Sequence, residues 1–293
     1  MYKGEIMSVI NSDKLRVEID EVGSSLLSIK DSDGREHLWQ GDEASWTGRD
    51  VTIFPFVGRL KDGYYTVDGE KYNMPAHGIC REHKFAVADK SQERVVHSFE
   101  WDEETLKVYP FKFVLTVEHK VEGARYVKTM TVKNVDSKDI YFSLGGHPAM
   151  SVVQESGDTA VNEIVFDGEI SPNVYLLDEV GHFIEKKQSF GRLEKIKCDK
   201  ATMKELKTII LTDGVFESLQ LKRPDGVVYK FDLDKPPVLA FWSHEDSGAY
   251  YCVEPWWGIP DFADPIRELK DKAHIEKLKV GQSQSYSFSI EIK

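Results

Sequence analysis

The sequence predicts an all-β protein, either a sandwich or a barrel, built from short strands joined by tight turns. Polar and apolar residues alternate with a period of two in Lys14–Asp20, which is typical of a strand with one buried face. Lys112–Val135 reads as two such strands around Glu122-Gly123, and Asp68-Gly69 and Asp225-Gly226 are further turn signals. Many short strands with turn signals between them favour a sandwich or a barrel.

Further strands and two short helices complete the predicted pattern. Ala201–Ile210 is expected to form a short helix because Met203, Leu206 and Ile210 fall near one helical face, and Pro265–Lys272 is expected to form another. The other expected strands are the hairpin in Tyr64–Met74, which follows Asp62-Gly63, and the segments Ser218–Leu221, Val227–Phe231 and Tyr286–Ile292.

Length and charge limit the organisation and the partners. The 293 residues contain no Pro-, Ser- or Gly-rich linker and no repeat of fixed period, so residues 1–293 are expected to form one β domain, a size that large sandwiches reach. The 38 Lys and Arg residues against 50 Asp and Glu residues give a net charge of −12. Such a surface repels phosphate backbones and anionic lipid, which disfavours nucleic-acid and membrane-surface functions.

Cysteine usage and the N-terminal residues indicate the compartment. The cysteines Cys80, Cys198 and Cys252 are odd in number, far apart and without CxxC spacing, which disfavours a disulfide framework and a structural zinc site. The first residues lack the apolar core of a secretory signal, and no run reaches the ~18 apolar residues of a membrane span. We therefore expect a reducing, cytoplasmic setting.

Three parts of the chain combine Gly or Pro with ionisable groups and bulky apolar neighbours. They are Phe54–Arg59 (FPFVGR) with the nearby Pro75–Arg81 (PAHGICR), Leu144–Met150 (LGGHPAM) and Tyr251–Asp261 (YCVEPWWGIPD). Gly and Pro impose unusual backbone paths, and a charged group among apolar side chains requires a partner or a function. We expect the functional site in these segments.

Two histidines and one glutamate in these segments are suited to proton transfer. His77 and His147 each lie beside glycine in a turn-rich segment, and histidine exchanges protons near neutral pH. The ordinary alternatives are a buried histidine bonded to backbone for the first and a solvent-facing turn histidine for the second. Glu254 lies among Tyr and Trp residues, where burial would raise its pKa and make it a better base near neutrality. The alternative for this carboxylate is a structural ion pair or hydrogen bonds from Trp N–H groups.

Three further polar residues are candidates for substrate contact. Arg59 follows an apolar run, and its guanidinium can orient sugar hydroxyls or a carboxylate through a fork of N–H donors. Arg81 is similar, while Asp213 precedes a glycine and also fits an ordinary Asp-Gly turn. High aromatic content with acidic charge suits sugar stacking better than nucleic-acid binding. The sequence contains no Rossmann fingerprint, P-loop, nucleophile elbow, HExxH motif or EF-hand spacing.

Taken together, the motifs FPFVGRLKDGYY, PAHGICREHKF, GGHPAM and CVEPWWGIPD resemble those of the aldose 1-epimerase (mutarotase) superfamily, and in particular its LacX-like branch. They occur in the family's order between residues 54 and 261. The resemblance implies a large antiparallel β-sandwich of the galactose-mutarotase type with a few short helices. It also implies interconversion of the α and β anomers of an aldose, with no cofactor and no metal.

The resemblance implies a role for each matching residue of the catalytic set. His147 matches the histidine that acts as general acid toward the ring oxygen of the sugar. Glu254 matches the glutamate that acts as general base on the anomeric hydroxyl. His77 matches a second active-site histidine that bonds near the reacting oxygens.

The resemblance also implies substrate-binding residues. Arg59 matches a substrate-orienting arginine, Asp213 is the best match for an aspartate that holds sugar hydroxyls, and Arg81 lies where relatives acting on sugar phosphates place a phosphate-binding arginine. The sequence departs from the branch at Ile79-Cys80, where Phe-Ala is usual, and at Met150, where Phe is usual. These changes alter the lining of the pocket more than its proton chemistry, so they bear on which sugar is bound.

Two other functions fit parts of the pattern. A non-catalytic carbohydrate-binding or sensing protein on the same fold would have a similar aromatic cleft, but it has little use for an acid and a base. A metal enzyme could use two histidines and one carboxylate as a facial triad for iron, but the sequence lacks close His-x-His or His-x-Asp pairing. The expected partner is a small aldose or sugar phosphate, and the sequence predicts no oligomeric state.

Overall fold

The computed structural model describes residues 7–153, 162–189, 191–206, 208–244 and 248–293, with the backbone alone for 185–188 and 205–206. Within these residues the chain forms mainly β-strands. In chain order the first are β1 (Met7–Asn11), β2 (Leu15–Asp20), β3 (Ser25–Asp31), β4 (Thr52–Ile53), β5 (Tyr64–Val67), β6 (Glu70–Asn73), β7 (Ala86–Lys90), β8 (Arg94–Glu100), β9 (Phe113–Glu122), β10 (Arg125–Asn134), β11 (Ile140–Phe142) and β12 (Leu144–Gly146). The others are β13 (Ala149–Ser151), β14 (Asn162–Ile170), β15 (Asn173–Leu177), β16 (Phe183–Ser189), β17 (Leu193–Cys198), β18 (Thr208–Thr212), β19 (Ser218–Lys222), β20 (Val228–Leu233), β21 (Val238–Trp242), β22 (Tyr250–Trp257), β23 (Glu276–Leu278) and β24 (Ser283–Ile292).

Two large antiparallel sheets dominate the fold. The nine-stranded sheet has the order β17-β14-β19-β20-β24-β10-β9-β8-β7, and the eight-stranded sheet has the order β16-β15-β18-β21-β22-β12-β4 with β13 also paired to β22. One continuous hydrophobic cluster takes side chains from both sheets, for example Leu115 and Phe288 from the first and Leu239 and Val253 from the second. The chain is therefore a β-sandwich, which confirms the all-β class and decides between the two predicted architectures.

The hairpin predicted around Glu122-Gly123 is confirmed. Strands β9 and β10 pair from Arg125 opposite Glu122 to Asn134 opposite Phe113. Buried residues alternate with more exposed ones along both strands, because one face of each strand packs into the sandwich. The hairpin of β5 and β6 turns at Asp68-Gly69 as expected, and both turn residues have positive φ.

The expected helices are shorter than the sequence pattern suggested. Helix α1 (Glu103–Leu106) was not expected, and helix α2 (Lys200–Leu206) ends four residues before Ile210. Ile210 instead pairs with Ala240 on β21, so strand pairing overrides the helical period of this segment. Of the expected helix Pro265–Lys272, only Leu269–Asp271 is helical, and it forms a single 3-10 turn. The other 3-10 turns in the described residues are Lys61–Gly63 and Cys80–Glu82. None of the described helices is long and apolar enough to cross a membrane.

Candidate active site

Strand β22 positions Glu254 on the outer face of the eight-stranded sheet. All eight residues of β22 are buried, although only Tyr251, Val253 and Trp257 belong to the large core between the sheets. Because successive side chains of a strand point to opposite faces, the even-numbered residues face away from that core. Glu254 is therefore held on a rigid central strand, between β21 and the short strands β12 and β13.

The Gly-Gly segment of β12 delivers His147 to the same face. Gly145 lies opposite Trp256 of β22, and Gly146 lies opposite Thr52 of β4. A Cβ atom on Gly145 would lie 2.7 Å from the Trp256 side chain, and one on Gly146 would lie 2.4 Å from the Phe288 ring. The two glycines therefore allow β12 to lie close beneath large aromatic side chains, and His147 follows directly where the strand ends.

His77 is held in place by contact between the first two motifs. The His77 backbone N–H donates to the carbonyl of Gly58 at 2.8 Å, and Ile79 N–H donates to the carbonyl of Phe54 at 2.9 Å. Gly78 has φ +77°, and a Cβ atom there would lie 2.1 Å from the Phe54 carbonyl oxygen. Only glycine fits this approach, so FPFVG and PAHG form one packed unit that presents the imidazole.

These elements surround an open cavity of about 360 Å³. It brings together five of the six residues expected from the sequence, namely His77, His147, Glu254, Arg59 and Arg81. The other lining residues are Trp46, Val51, Gly58, Leu177, Gly181, Thr208, Ile210, Trp242, Trp256 and Pro260.

His147 and Glu254 form the centre of the cavity. Their atoms Nε2 and Oε2 are 3.1 Å apart, and the two side chains are 9% and 1% exposed. Burial lowers the pKa of His147 to about 4, and it raises the pKa of Glu254 well above its usual value, against the opposing effect of the neighbouring Trp256 N–H. In this low-dielectric setting both groups favour their uncharged forms.

Three buried polar atoms on this face have no hydrogen-bond partner among the described residues. They are His147 Nδ1, Glu254 Oε2 and Trp256 Nε1. The short contact between His147 and Glu254 is thus not aligned as a hydrogen bond. Buried polar groups are rarely left unsatisfied in proteins unless a function needs them, so this face is suited to a polar ligand that supplies the missing partners.

His77 serves as a neutral donor in this geometry. Its ring centroid lies 5.6 Å from that of His147, and burial, followed by the nearby His147, lowers the pKa of His77 to about 3. Its Nδ1 accepts a hydrogen bond from the Gly58 N–H at 3.3 Å. The proton of the neutral ring is then on Nε2, which can donate to a ligand oxygen.

The structure separates Asp213 from the other five expected residues. Asp213 is exposed, has φ +59° and accepts a hydrogen bond from Asn173 Nδ2. It lines a different cavity, next to Phe166 and Phe216. The Asp-Gly turn that was its ordinary interpretation describes this position, and a role for Asp213 in holding sugar hydroxyls stays a prediction.

Two tryptophans of the cavity, Trp46 and Trp242, were not expected from the sequence. Trp46 lies with its ring centroid 5.1 Å from that of His147, and Trp242 lies 5.9 Å from it. The two indoles also contact each other edge to face at 5.3 Å. Trp46 is in a polar loop without a recognisable motif, and a tryptophan among polar residues was the one available signal in the sequence.

One group of side chains on this face has the composition of a metal site. Ligand atoms of His147, Cys252 and Glu254 lie within 4.8 Å of one another, and all three residues are buried. The facial triad considered from the sequence would have used a second histidine. His77 is not part of this group, and a thiol takes that place.

Comparison with known proteins gives a consistent assignment. The family model described as Aldose 1-epimerase matches residues 5–254. The chromosomal LacX protein of Lactococcus lactis is 26% identical over 97% of this chain and 98% of its own. A galactose mutarotase-like protein from Lactobacillus casei superposes with a TM-score of 0.89 and 26% identity, over 98% of this chain and all of that one.

A second solved structure supports the fold. A galactose mutarotase related enzyme from Lactobacillus acidophilus has a TM-score of 0.87 at 24% identity, covering 98% of this chain and 97% of that one. The matched sequence and the sandwich topology agree: among known proteins the chain is similar to the LacX proteins, and it belongs to the aldose 1-epimerase family.

Proposed function

We propose that this protein is an aldose 1-epimerase that interconverts the α and β anomers of an aldose by acid–base opening and closure of the sugar ring. The observation that carries the proposal is the contact between His147 and Glu254, 3.1 Å apart on the floor of a cavity. Opening a hemiacetal requires one group that takes a proton and another that gives one, both within reach of a single acetal centre.

The proton transfers can be assigned to these two groups. Glu254 takes the proton of the anomeric hydroxyl, and a C=O bond forms at C1. The bond from C1 to the ring oxygen breaks, and its electron pair goes to the ring oxygen, which takes a proton from His147. Rotation about C1–C2 then presents the other face of the aldehyde, and the reverse transfers close the ring.

The preference of both groups for their uncharged forms is consistent with these proton transfers. The productive form has a carboxylate on Glu254 and a proton on His147, whereas burial favours the uncharged form of both groups. After ring opening Glu254 carries a proton and His147 is neutral, which is the form that burial favours. The charges of the productive form are therefore removed as the ring opens.

Other residues of the cavity support sugar binding. Trp46 and Trp242 present indole faces and edges that can pack on the C–H surface of a pyranose. The His77 Nε2–H can donate to a reacting oxygen. Arg59 has no hydrogen-bond or ion-pair partner among the described residues for its exposed guanidinium, so it can donate to sugar hydroxyls, and Arg81 lies on the rim for the same purpose.

We also propose that residues 1–293 act as one domain in the cytoplasm. Cys80, Cys198 and Cys252 are all free and buried, which suits a reducing compartment.

The test is polarimetry on freshly dissolved glucose and galactose, extended to a pentose and a hexose 6-phosphate. We expect acceleration over the spontaneous rate, and Glu254→Gln and His147→Asn should each lower kcat by about 10²- to 10⁴-fold. Glu104→Gln and His274→Asn change the same residue types at exposed positions and should retain full activity. Sugar binding without any acceleration would instead favour a carbohydrate-binding protein and refute the proposal.

A further inference from the structure

Cys252 is a buried thiol beside the catalytic pair that the proposed reaction does not use. It does not line the cavity, since it packs with Ala149 and Tyr250 beneath Trp46 and Trp242. It lies two residues before Glu254 on β22, so both side chains face the same side of the sheet. Ala149 of β13 lies opposite Cys252 of β22. His147 is two residues before Ala149, so this pairing brings His147 close to Cys252.

We propose that His147, Cys252 and Glu254 form a binding site for a thiophilic divalent cation such as Zn²⁺, and that this cation inhibits the enzyme by occupying its acid–base pair. The ligand atoms already lie within 4.8 Å of one another. Around zinc with bonds of about 2.0–2.3 Å, neighbouring ligands are roughly 3.5 Å apart. Closing the cluster therefore requires side-chain shifts of about 1 Å, which rotations of three side chains can supply.

The donor set is the one that zinc prefers. Imidazole nitrogen, thiolate sulfur and carboxylate oxygen are its usual ligands, and three protein ligands leave a fourth position for water. Magnesium and calcium, which prefer oxygen ligands, would find one suitable donor here. The softness of the thiol thus makes the site selective among divalent cations.

Charge also favours occupancy. When the thiol and the Glu254 carboxyl group both release their protons to solvent on binding, the thiolate and the carboxylate together carry −2, which balances the +2 of the cation. A neutral imidazole ring is the form of histidine that binds a metal ion. A neutral cluster can be buried at far lower cost than an isolated ion.

The unsatisfied atoms described above are an independent indication of a ligand. Glu254 Oε2 and His147 Nδ1 are both buried and without a hydrogen-bond partner among the described residues. His147 is 7% exposed and Glu254 is 1% exposed, and both line the cavity, so a ligand that enters the cavity can reach them. In the proposed reaction a bound sugar supplies hydrogen-bond partners to these atoms. When a cation is bound instead of the sugar, it would coordinate Glu254 and one nitrogen of His147.

The inhibition part of this inference rests on the proposed function, whereas the binding part does not. Two measurements on the full-length protein, stripped of metal with EDTA and desalted, keep the two apart. The first is direct binding of Co²⁺ as a spectroscopic substitute for Zn²⁺, in which a thiolate ligand produces near-ultraviolet charge-transfer absorption. The second is polarimetric activity with added Zn²⁺ and then with excess EDTA.

The decisive variant is Cys252→Ala, with Cys198→Ala as a matched control that removes a different buried thiol. We expect one Co²⁺ per chain with the thiolate band in the wild-type protein and in Cys198→Ala, and no band in Cys252→Ala. The Zn²⁺ concentration for half-inhibition should rise about 100-fold in Cys252→Ala, since even partners of metal ligands affect affinity by about 10–100-fold. Mg²⁺ should not inhibit, and EDTA should restore activity.

Three results would overturn the inference. They are Co²⁺ binding without the thiolate band, a band that persists in Cys252→Ala, or equal inhibition of the wild-type protein and Cys252→Ala by Zn²⁺. If the metal-free protein shows no anomerisation at all, the proposed function fails while the cobalt spectrum still decides whether the metal site exists.

Discussion

A buried ion pair behind the active site offers a quantitative test of the tertiary structure. Lys128 on β10 of the nine-stranded sheet contacts Asp50, which precedes β4 of the other sheet. Nζ and Oδ2 are 2.7 Å apart, and both side chains are 0% exposed. Asp50 Oδ2 also accepts from the Leu26 N–H at 3.2 Å. The pair therefore joins the two sheets through charges that are completely removed from water.

The geometry of the pair sets the expected loss in the free energy of unfolding when one partner is replaced. At 2.7 Å and an effective dielectric constant of about 20, the attraction is about 6 kcal/mol, and desolvation of both ions offsets much of it. Lys128→Met or Asp50→Asn alone leaves one buried polar or charged group without its partner, which should cost about 3 kcal/mol. The double variant leaves no buried charge, and the amide oxygen introduced by Asp50→Asn can still accept from the Leu26 N–H. We expect the double variant to lower the free energy of unfolding by no more than either single variant does. This corresponds to a coupling energy of about 3 kcal/mol between the two side chains.

The assay is urea unfolding followed by tryptophan fluorescence. With a slope of about 3 kcal/mol/M, each single variant should lower the midpoint by about 1 M. The control is the pair Lys195–Glu163, which has the same 2.7 Å separation but side chains 61% and 34% exposed. Lys195→Met, Glu163→Gln and their combination should show coupling of at most about 1 kcal/mol. Equal coupling in the two cycles would refute the argument that burial determines the strength of the internal pair.

Two further predictions concern the active site. In EDTA-treated protein the pH–rate profile should be bell-shaped, because only the form with one shared proton on His147 and Glu254 is active. Since burial lowers the pKa of His147 to about 4, the acid limb should lie well below the usual histidine value, and half-loss of activity near pH 6.5 would contradict this. Trp46→Ala should raise KM about tenfold with little change in kcat, through loss of roughly 1.4 kcal/mol of stacking, while Trp46→Phe should retain most of the affinity. An unchanged KM in Trp46→Ala would show that this indole does not contact the sugar.

Local sequence patterns predicted the strands well because the periodicity of a strand is visible in a few residues. The β9–β10 hairpin follows from alternation and from Gly123, which has φ +56° at the turn. The segment from Ala201 to Ile210 shows the limit of such reasoning. The helix ends at Leu206 because all five residues of Thr208–Thr212 pair with β21. That partner strand is about 30 residues away in the chain, so the local pattern does not reveal it.

The candidate active site was likewise predictable from local sequence only in part. The unusual composition of the three motifs singled out His77, His147 and Glu254, and the cavity contains all three. Asp213 has an equally plausible local sequence but belongs to another cavity. Trp46 has no motif and yet packs against His147. Which side chains share a cavity depends on strand order across the sheet, and no short segment contains that information.

By itself the sequence determined the strand-rich class, the tight turns, the acidic surface and the residue types able to move protons, because each depends on neighbours within a few positions. The tertiary structure decided the 3.1 Å contact of His147 with Glu254, the direction of their pKa changes and the presence of Cys252 beside them. These depend on burial and on distances between strands far apart in the chain, and only the assembled sandwich creates the buried environment in which both groups favour their uncharged forms.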